Sequence, residues 1–381
     1  MLNFSRLFNN ENDESYLKNL DLDESDKQVL NDAKSLIRST LKDELPGKLK
    51  DIAGDEAVSQ PKFFTQGSWA YKTLNAPAKS PQQADLDDGC YLPLSYMQEI
   101  KKPSQATTIF FQAVEAVLGP LAIKNGWTLV TDKPTCTRLE INDNAHIDIP
   151  LYAIPDQQFK LMKEAREAKS LGMDALTARY QSWDDLPDDV VLLAHRKDDW
   201  ISSDPRPIKD WFNEQCQLNG EQLRRVVRYL KGYRDFQWQE GGPSSILLMA
   251  ATVPIFSQHP RRDDMALLEV ARQLPDILRG GVCNPTNEAE ILTDRLSTEA
   301  LEEAALAYER LAQLLASCMQ ATDAPSVCVW LRKNFGNRIP ELTELITSTT
   351  ATETIKEVAP LYTASPLVGR TEAGLPTKKE I

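Results

Sequence analysis

Histidine and clustered cysteine are what this chain has least of. It carries three His and six Cys in 381 residues, and the cysteines (Cys90, Cys136, Cys216, Cys283, Cys318, Cys328) are scattered with no C-x-x-C pair. That spacing speaks against a zinc site or a disulfide framework and for buried, reduced thiols. Excess positive charge is also missing: 43 Lys and Arg stand against 56 Asp and Glu, for a net charge of −13. Phosphate backbones are gripped chiefly by Lys and Arg, so a general nucleic-acid binder is excluded, whereas a local basic pocket for nucleotides is not. No apolar run approaches the roughly 20 residues of a membrane helix. The start, Met1-Leu2-Asn3-Phe4-Ser5-Arg6, lacks the basic region and apolar centre of a signal peptide. The expectation is a cytoplasmic globular protein with neither zinc nor a membrane partner. Its length suits one large two-lobed enzyme or two domains.

Against that plain background one stretch stands out, Ala84-Asp85-Leu86-Asp87-Asp88-Gly89. On a strand, Asp85 and Asp87 share one face and Leu86 points to the other. His146-Ile147-Asp148-Ile149-Pro150 alternates in the same sense, so Asp148 meets the first pair if the two strands are neighbours. Three converging carboxylates repel one another unless a cation lies between them. Oxygen-only ligands favour a hard ion, Mg²⁺ by preference with Mn²⁺ as substitute, and phosphates complete its shell. Upstream, Phe63-Phe64 runs into Gln66-Gly67-Ser68, a strand leading to a turn whose backbone N–H groups can face a phosphate.

Organisation follows from the periodicity. Val29, Ala33, Leu36/Ile37 and Leu41 predict a long helix, started by Asp23 or Ser25 and closed by Pro46. Residues 69–75 read as a short helix, and Ser104–Leu118 as an amphipathic helix ending at Gly119-Pro120. Strands are expected at Trp127–Thr131, Thr135–Ile141 and His146–Tyr152. Residues 156–200 are charged and helical in character. Beyond Pro205 only helices are expected, among them Glu221–Phe236, Ser244–Phe256 with Ser244 as cap, and Glu299–Ala316. The domains are then an N-terminal helical brace (1–60), a catalytic lobe (61–200), a helical lobe (201–360) and a flexible tail (361–381). The fold class is α+β.

The order of Gly-Ser turn, D-x-D strand and third Asp is similar to the nucleotidyltransferase superfamily that includes DNA polymerase β, which implies a mixed sheet in the catalytic lobe. More specifically, Phe64-Thr65-Gln66-Gly67-Ser68, Asp85-Leu86-Asp87-Asp88-Gly89 and the run His146–Pro155 resemble the bacterial cGAS/DncV-like nucleotidyltransferases. Trp200–Pro205, Gly241-Gly242-Pro243-Ser244-Ser245, Leu248–Val253 and Phe335-Gly336-Asn337-Arg338 also look like the DncV branch, the cyclic GMP-AMP synthases. The resemblance implies a cyclic-dinucleotide synthase of a CBASS anti-phage operon, taking ATP and GTP, with a 3′,3′-cyclic GMP-AMP-like product acting on a downstream effector. It implies metal-binding roles for Asp85, Asp87 and Asp148, and phosphate-side or nucleotide contacts for Gln66, Gly67, Ser68 and Tyr71. It also implies a nucleotide contact for Arg138 and a hold on the donor triphosphate for Lys231 and Ser245. The chain departs from the pattern in its N-terminal region, between residues 160 and 190, and at 281–295, a stretch that bears on base selection.

Simpler roles stand beside these. Ser68 is also a good turn or N-cap residue, Ser245 a good cap, and Lys231 and Arg138 ordinary surface charges. His146 reads as structural and Asp88 as a turn carboxylate, while Trp69, Trp183 and Trp238 read as core or pocket wall. Alternatives are a synthase of another cyclic or linear oligonucleotide, a template-free transferase acting on RNA, and a nucleotide-binding regulator without turnover. The acidic balance weighs against RNA and against activation by double-stranded DNA. The tail is a candidate site for an operon-encoded modifier.

Overall fold

The chain does not enter its sheet until a short strand, two single-turn helices and one long helix have been laid down. These are β1 (Leu2–Asn3), α1 (Ser5–Phe8), α2 (Tyr16–Asn19) and α3 (Glu24–Ala53). The computed structural model describes residues 1–10, 14–53, 60–93, 103–154, 159, 191–197 and 199–348. The segment 156–200 is expected to be helical, but Leu192–His195 and Asp199–Ser202 are strands, because the apolar run Leu192-Leu193-Ala194 pairs with the sheet. Most of 156–190, with Trp183 and the tail, lies outside the described residues. Asp23 starts α3, its carboxylate accepting the Asp26 N–H at 2.7 Å. Pro46 does not close the helix but sits inside it. Leu41, Leu45 and Leu49 form one buried stripe across that point. Their packing outweighs the roughly 3 kcal/mol an interior proline costs.

The sheet-bearing part continues with β2 (Lys62–Gln66), α4 (Gly67–Ala70), β3 (Ala84–Pro93), α5 (Pro103–Asn125), β4 (Thr128–Val130), β5 (Cys136–Asn142), β6 (Ala145–Ile154), β7 (Leu192–His195) and β8 (Asp199–Ser202). These strands make a mixed seven-stranded sheet in the order β2-β3-β6-β5-β4, with β7 on β6 and β8 on β7. β3 and β6 are parallel; the other pairs are antiparallel. Leu86 and Cys90 of β3 join Ile147, Ile149 and Leu151 of β6 on one face, in a core with α3 and α5. Asp88 is on that face too. It is no turn residue: Arg38 of α3 grips it with Nε at 2.6 Å and with Nη2, and Thr65 Oγ1 donates to it. Like α3, α5 runs through its expected stop at Gly119-Pro120, because Leu121 and Ala122 extend its buried side. Contrary to expectation, α5 is long and apolar enough to cross a membrane by length and composition, but more than half of that stretch is buried within the protein.

The helical part comprises α6 (Arg206–Asn219), α7 (Glu221–Gln237), α8 (Ser245–Thr252), α9 (Asp263–Gly280), α10 (Thr298–Gln320) and α11 (Ala324–Phe335). Between α9 and α10 lies a small hairpin, β9 (Cys283–Asn284) with β10 (Asn287–Ile291), and β11 (Thr347–Ser348) pairs with β1. The expectation of helices alone beyond Pro205 is corrected here: these strands are too short and polar to show an alternating pattern. α7 lies at the centre, with Leu223, Val226, Val227, Tyr229, Leu230 and Tyr233 all buried. Phe4, Leu7, Phe8, Tyr16 and Leu20 belong to this same core. These residues thus pack with the helical part, and α3 packs with the sheet.

The N-terminal segment is fastened by polar bonds as well. Phe4 N–H donates to Asp264 Oδ2 at 3.1 Å, and Asp263 N–H donates to Ser5 Oγ at 2.7 Å. Asp264 is wholly buried beside Arg262, with Arg262 Nε to Asp264 Oδ1 at 2.8 Å. Removing one partner of a buried ion pair leaves the other charge uncompensated. Asp264→Ala is therefore expected to lower stability by about 3–5 kcal/mol, read as a fall in the midpoint of chemical denaturation.

Candidate active site

Strand register builds the acidic face. In the parallel β3–β6 pair, Asp85 stands beside His146 and Asp87 beside Asp148. All four side chains lie on the face opposite the Leu86/Ile147 core, as the period-2 pattern predicts. Across the antiparallel β2–β3 pair, Asp87 stands beside Gln66, where β2 ends and Gly67 opens α4. Gly67 has φ +65°, and a Cβ at this position would overlap Asp87 Oδ2. Only glycine lets the backbone come so close to that carboxylate.

The electrostatics follow from the crowding. Burial, then the charges of Asp85 and Asp148, push the Asp87 carboxyl well above the usual carboxylate range, while Arg138 and Lys231 work against the shift. Arg138, on β5 opposite Asp148, grips that carboxylate with both arms: Nε to Oδ1 at 2.6 Å and Nη2 to Oδ2 at 2.8 Å. Asp85 Oδ1 and His146 Nε2 are buried without a hydrogen-bond partner. One donor atom from each of Asp85, His146 and Asp148 falls within a span of 4.8 Å. Orphaned donors beside mutually repelling carboxylates fit a divalent cation.

A cleft of about 270 Å³ opens beside this face and is lined from both parts of the chain. The sheet side contributes Ser68, Gln83 and Asp85; α7 contributes Lys231 and Arg234, followed by Trp238; Ser245 opens α8. Lys231 is buried, its Nζ donating to Thr73 O at 2.6 Å. Burial and the neighbouring Arg234 push its ammonium down to about 7, with Asp235 opposing them. Ser244, not Ser245, caps α8 by accepting the Leu247 N–H at 3.3 Å. Ser245 Oγ instead faces Arg234 Nη1 at 3.3 Å. A cation, a guanidinium and two serine hydroxyls around one cleft can hold a polyanion, with Asp85 of the acidic face at its edge.

The cleft brings together Ser68, Asp85, Lys231 and Ser245 from positions remote in sequence. Three other candidates point elsewhere. Gln66 is buried and donates to Tyr152 Oη at 3.0 Å. Tyr71 lies in the helical core, its hydroxyl raised in pKa by burial and by Asp87. Arg138 is spent on Asp148. Arg234 was missed, although it lies one helical turn beyond Lys231, a spacing that places both on one face. His146, which reads as structural in sequence, shares the face of Asp148 and stands beside Asp85. The 281–295 stretch forms the β9–β10 hairpin, and among the described residues none of it lines the cleft.

Comparison with known proteins is consistent with this geometry. Residues 61–152 match the family described as cyclic GMP-AMP synthase DncV-like, nucleotidyltransferase domain, and residues 220–349 match the cyclic GMP-AMP synthase C-terminal domain. The chain is similar to the cyclic GMP-AMP synthase of Vibrio cholerae, 35% identical over 313 residues covering 77% of this chain and 71% of that one. A cyclic GMP-AMP synthase of Escherichia coli is 34% identical over 80% of this chain and 74% of its own length. Among solved structures, Vibrio cholerae DncV bound to the linear intermediate 5′ pppA(3′,5′)pG superposes with a TM-score of 0.77 and 29% identity, over 92% of this chain and 99% of that one. A variant of the same cyclase in complex with ATP and GTP gives 0.75 and 28%, over 92% of this chain and 100% of that one.

The Lys231 ammonium sets a pH dependence. Because its pKa in the empty cleft is about 7, the charged form is lost as pH rises through that value. Affinity for inorganic tripolyphosphate is expected to fall roughly fifteenfold from pH 7 to 8.5, the drop in the protonated fraction. Calorimetric titration of Lys231→Gln should show weak binding and no such fall at either pH.

Proposed function

Since the chain belongs to the family of DncV-like cyclic GMP-AMP synthases, we propose that it joins ATP and GTP into a 3′,3′-cyclic dinucleotide and releases pyrophosphate at each step. It is a metal-dependent nucleotidyltransferase with the polymerase β-like fold, and its reaction is cyclic dinucleotide synthesis from two nucleoside triphosphates. The observation that carries this is the pairing of Asp85, Asp87 and Asp148 on adjacent parallel strands beside a cleft lined by Ser68, Lys231 and Ser245.

In each half-reaction a ribose hydroxyl attacks the α-phosphorus of the other nucleotide, its proton is lost, and the bond to pyrophosphate breaks. A bound pair of divalent cations, Mg²⁺ in this proposal with Mn²⁺ as substitute, lowers the pKa of the attacking hydroxyl and neutralises charge on the leaving group. Asp85 and Asp87 would hold both ions and Asp148 the one on the nucleophile side, where its carboxylate can take the hydroxyl proton. Gly67 lets the backbone approach the phosphates and keeps room for Asp87. Ser68, Lys231 and Ser245 hold the triphosphate tail, Lys231 as a point charge. Arg138 would contact nucleotide once it leaves Asp148; Gln66 and Tyr71 support the turn from behind. Two successive attacks in the same cleft close the ring.

The setting that fits this chemistry is a cytoplasmic CBASS anti-phage system, in which the cyclic product activates a downstream effector and an operon-encoded partner modifies the C-terminal tail. The test is incubation of the purified protein with Mg²⁺ and the four labelled nucleoside triphosphates, then phosphatase treatment and mass spectrometry with linkage-specific nucleases. A phosphatase-resistant cyclic species is expected; linear products alone would favour an oligonucleotide synthase. Asp87→Ala should keep the fold, judged by circular dichroism, and abolish product; substantial residual activity would sink its assignment. Gly67→Ala should cost on the order of 10²-fold in rate, because the added methyl displaces Asp87.

A further inference from the structure

β6 places His146 on the face that carries Asp148 and directly beside Asp85 of β3. The residue is only 6% exposed. Its Nδ1 lies 2.8 Å from Gln83 Oε1. The orientation of that amide is fixed at its other end, where Gln83 Nε2 donates to Asn142 O at 3.3 Å. An amide oxygen only accepts, so Nδ1 carries a proton and the ring is held with Nε2 facing Asp85. Nε2 stands 3.1 Å from Asp85 Oδ1, and neither atom has a hydrogen-bond partner.

A nitrogen and a carboxylate oxygen at that separation need a positive charge between them, a proton or a metal ion. In an octahedral shell with bonds of about 2.1 Å, neighbouring donor atoms are about 3.0 Å apart. That spacing matches the Nε2–Oδ1 distance. Asp148 supplies a third donor within the same 4.8 Å span. A histidine whose second nitrogen is tied to an amide oxygen is oriented as metal-ligating histidines are.

We propose that His146 is a nitrogen ligand to a divalent cation at this site, alongside Asp85 and Asp148, with Gln83 as its positioning residue. The proposal rests on the metal-binding role given to the carboxylates above. An imidazole in an otherwise oxygen-lined site shifts its preference from Mg²⁺ toward Mn²⁺, which lies higher in affinity for nitrogen donors.

The test is pulsed electron paramagnetic resonance of the full chain loaded with Mn²⁺ alone. The wild-type protein should show the modulation of a directly bound imidazole nitrogen, which changes on ¹⁵N-histidine labelling. His146→Gln should lose it and bind Mn²⁺ about tenfold or more weakly. Mn²⁺ bound without nitrogen coupling, or coupling that persists in His146→Gln, overturns the proposal; the Asp85 contact would then be bridged by a proton. Loss of Mn²⁺ binding in Asp148→Asn with retention in His146→Gln, at unchanged affinity, would keep the carboxylate site and remove only the histidine. No Mn²⁺ binding by the wild type would remove both.

Discussion

Carboxylates held side by side on two parallel strands are a standing source of repulsion, and much of the local structure is explained as its containment. Asp87 and Asp148 are in register, so neither can withdraw without breaking the ladder that fixes it. Arg138 answers the charge on Asp148 from the next strand. Gly67 gives Asp87 space that any side chain would fill. Part of the strain is left in Asp87, whose proton affinity is raised. The same fork that quiets Asp148 also occupies both of its oxygens. In the proposed reaction, cation binding at Asp148 and the release of Arg138 toward a nucleotide would be two halves of one exchange, tying a metal ion to a phosphate-seeking guanidinium.

The other half of the cleft depends on how firmly the helical part is tied to the sheet. Residues 73–83 run along α7 and are bonded to it repeatedly. Lys231 donates to Thr73 O, Arg228 to Asn75 Oδ1, Gln82 to Asp235 O and Trp238 O, and Lys79 to Phe236 O. The acceptors at the end of α7 are carbonyls left open by the helix terminus. The segment that leads into the acidic strand is therefore positioned by the helix that carries Lys231 and Arg234. Cations and carboxylates are set relative to one another by these side-chain bonds, most of them to backbone carbonyls, so their spacing is held at several points at once.

Much of this was legible in sequence. The alternation around Asp85, Asp87 and Asp148 predicted their shared face, because strand periodicity leaves no other choice once Leu86, Ile147 and Ile149 are buried. The long helices beyond Pro205 were legible for the same kind of reason. The misreadings came where local preference was overridden. Pro46 and Gly119-Pro120 look like stops, yet the apolar stripes that cross them are buried, and packing decided. The β9–β10 hairpin is polar and a few residues long, below what periodicity resolves. That Lys231 and Ser245 would face Ser68 is a tertiary fact that no local pattern carries. The orphaned Nε2 of His146 needed coordinates as well, since only the register of β3 on β6 sets it against Asp85.

The two cores divide the chain in an unexpected way. Phe4, Leu7, Phe8, Tyr16 and Leu20 are buried with α7 and α11, whereas α3, which comes next, is buried against the sheet. During synthesis Phe8 and Tyr16 must therefore wait for Phe335, one of the last core residues made, before their rings are fully enclosed. The sheet and its two covering helices have all their strands once residue 202 has emerged. Phe4, Phe8 and Tyr16 stay as exposed apolar surface through most of translation, the kind of surface that chaperones hold. The N-terminal strand then closes against β11 near the other end of the described chain, so the helical lobe is completed last, by its beginning.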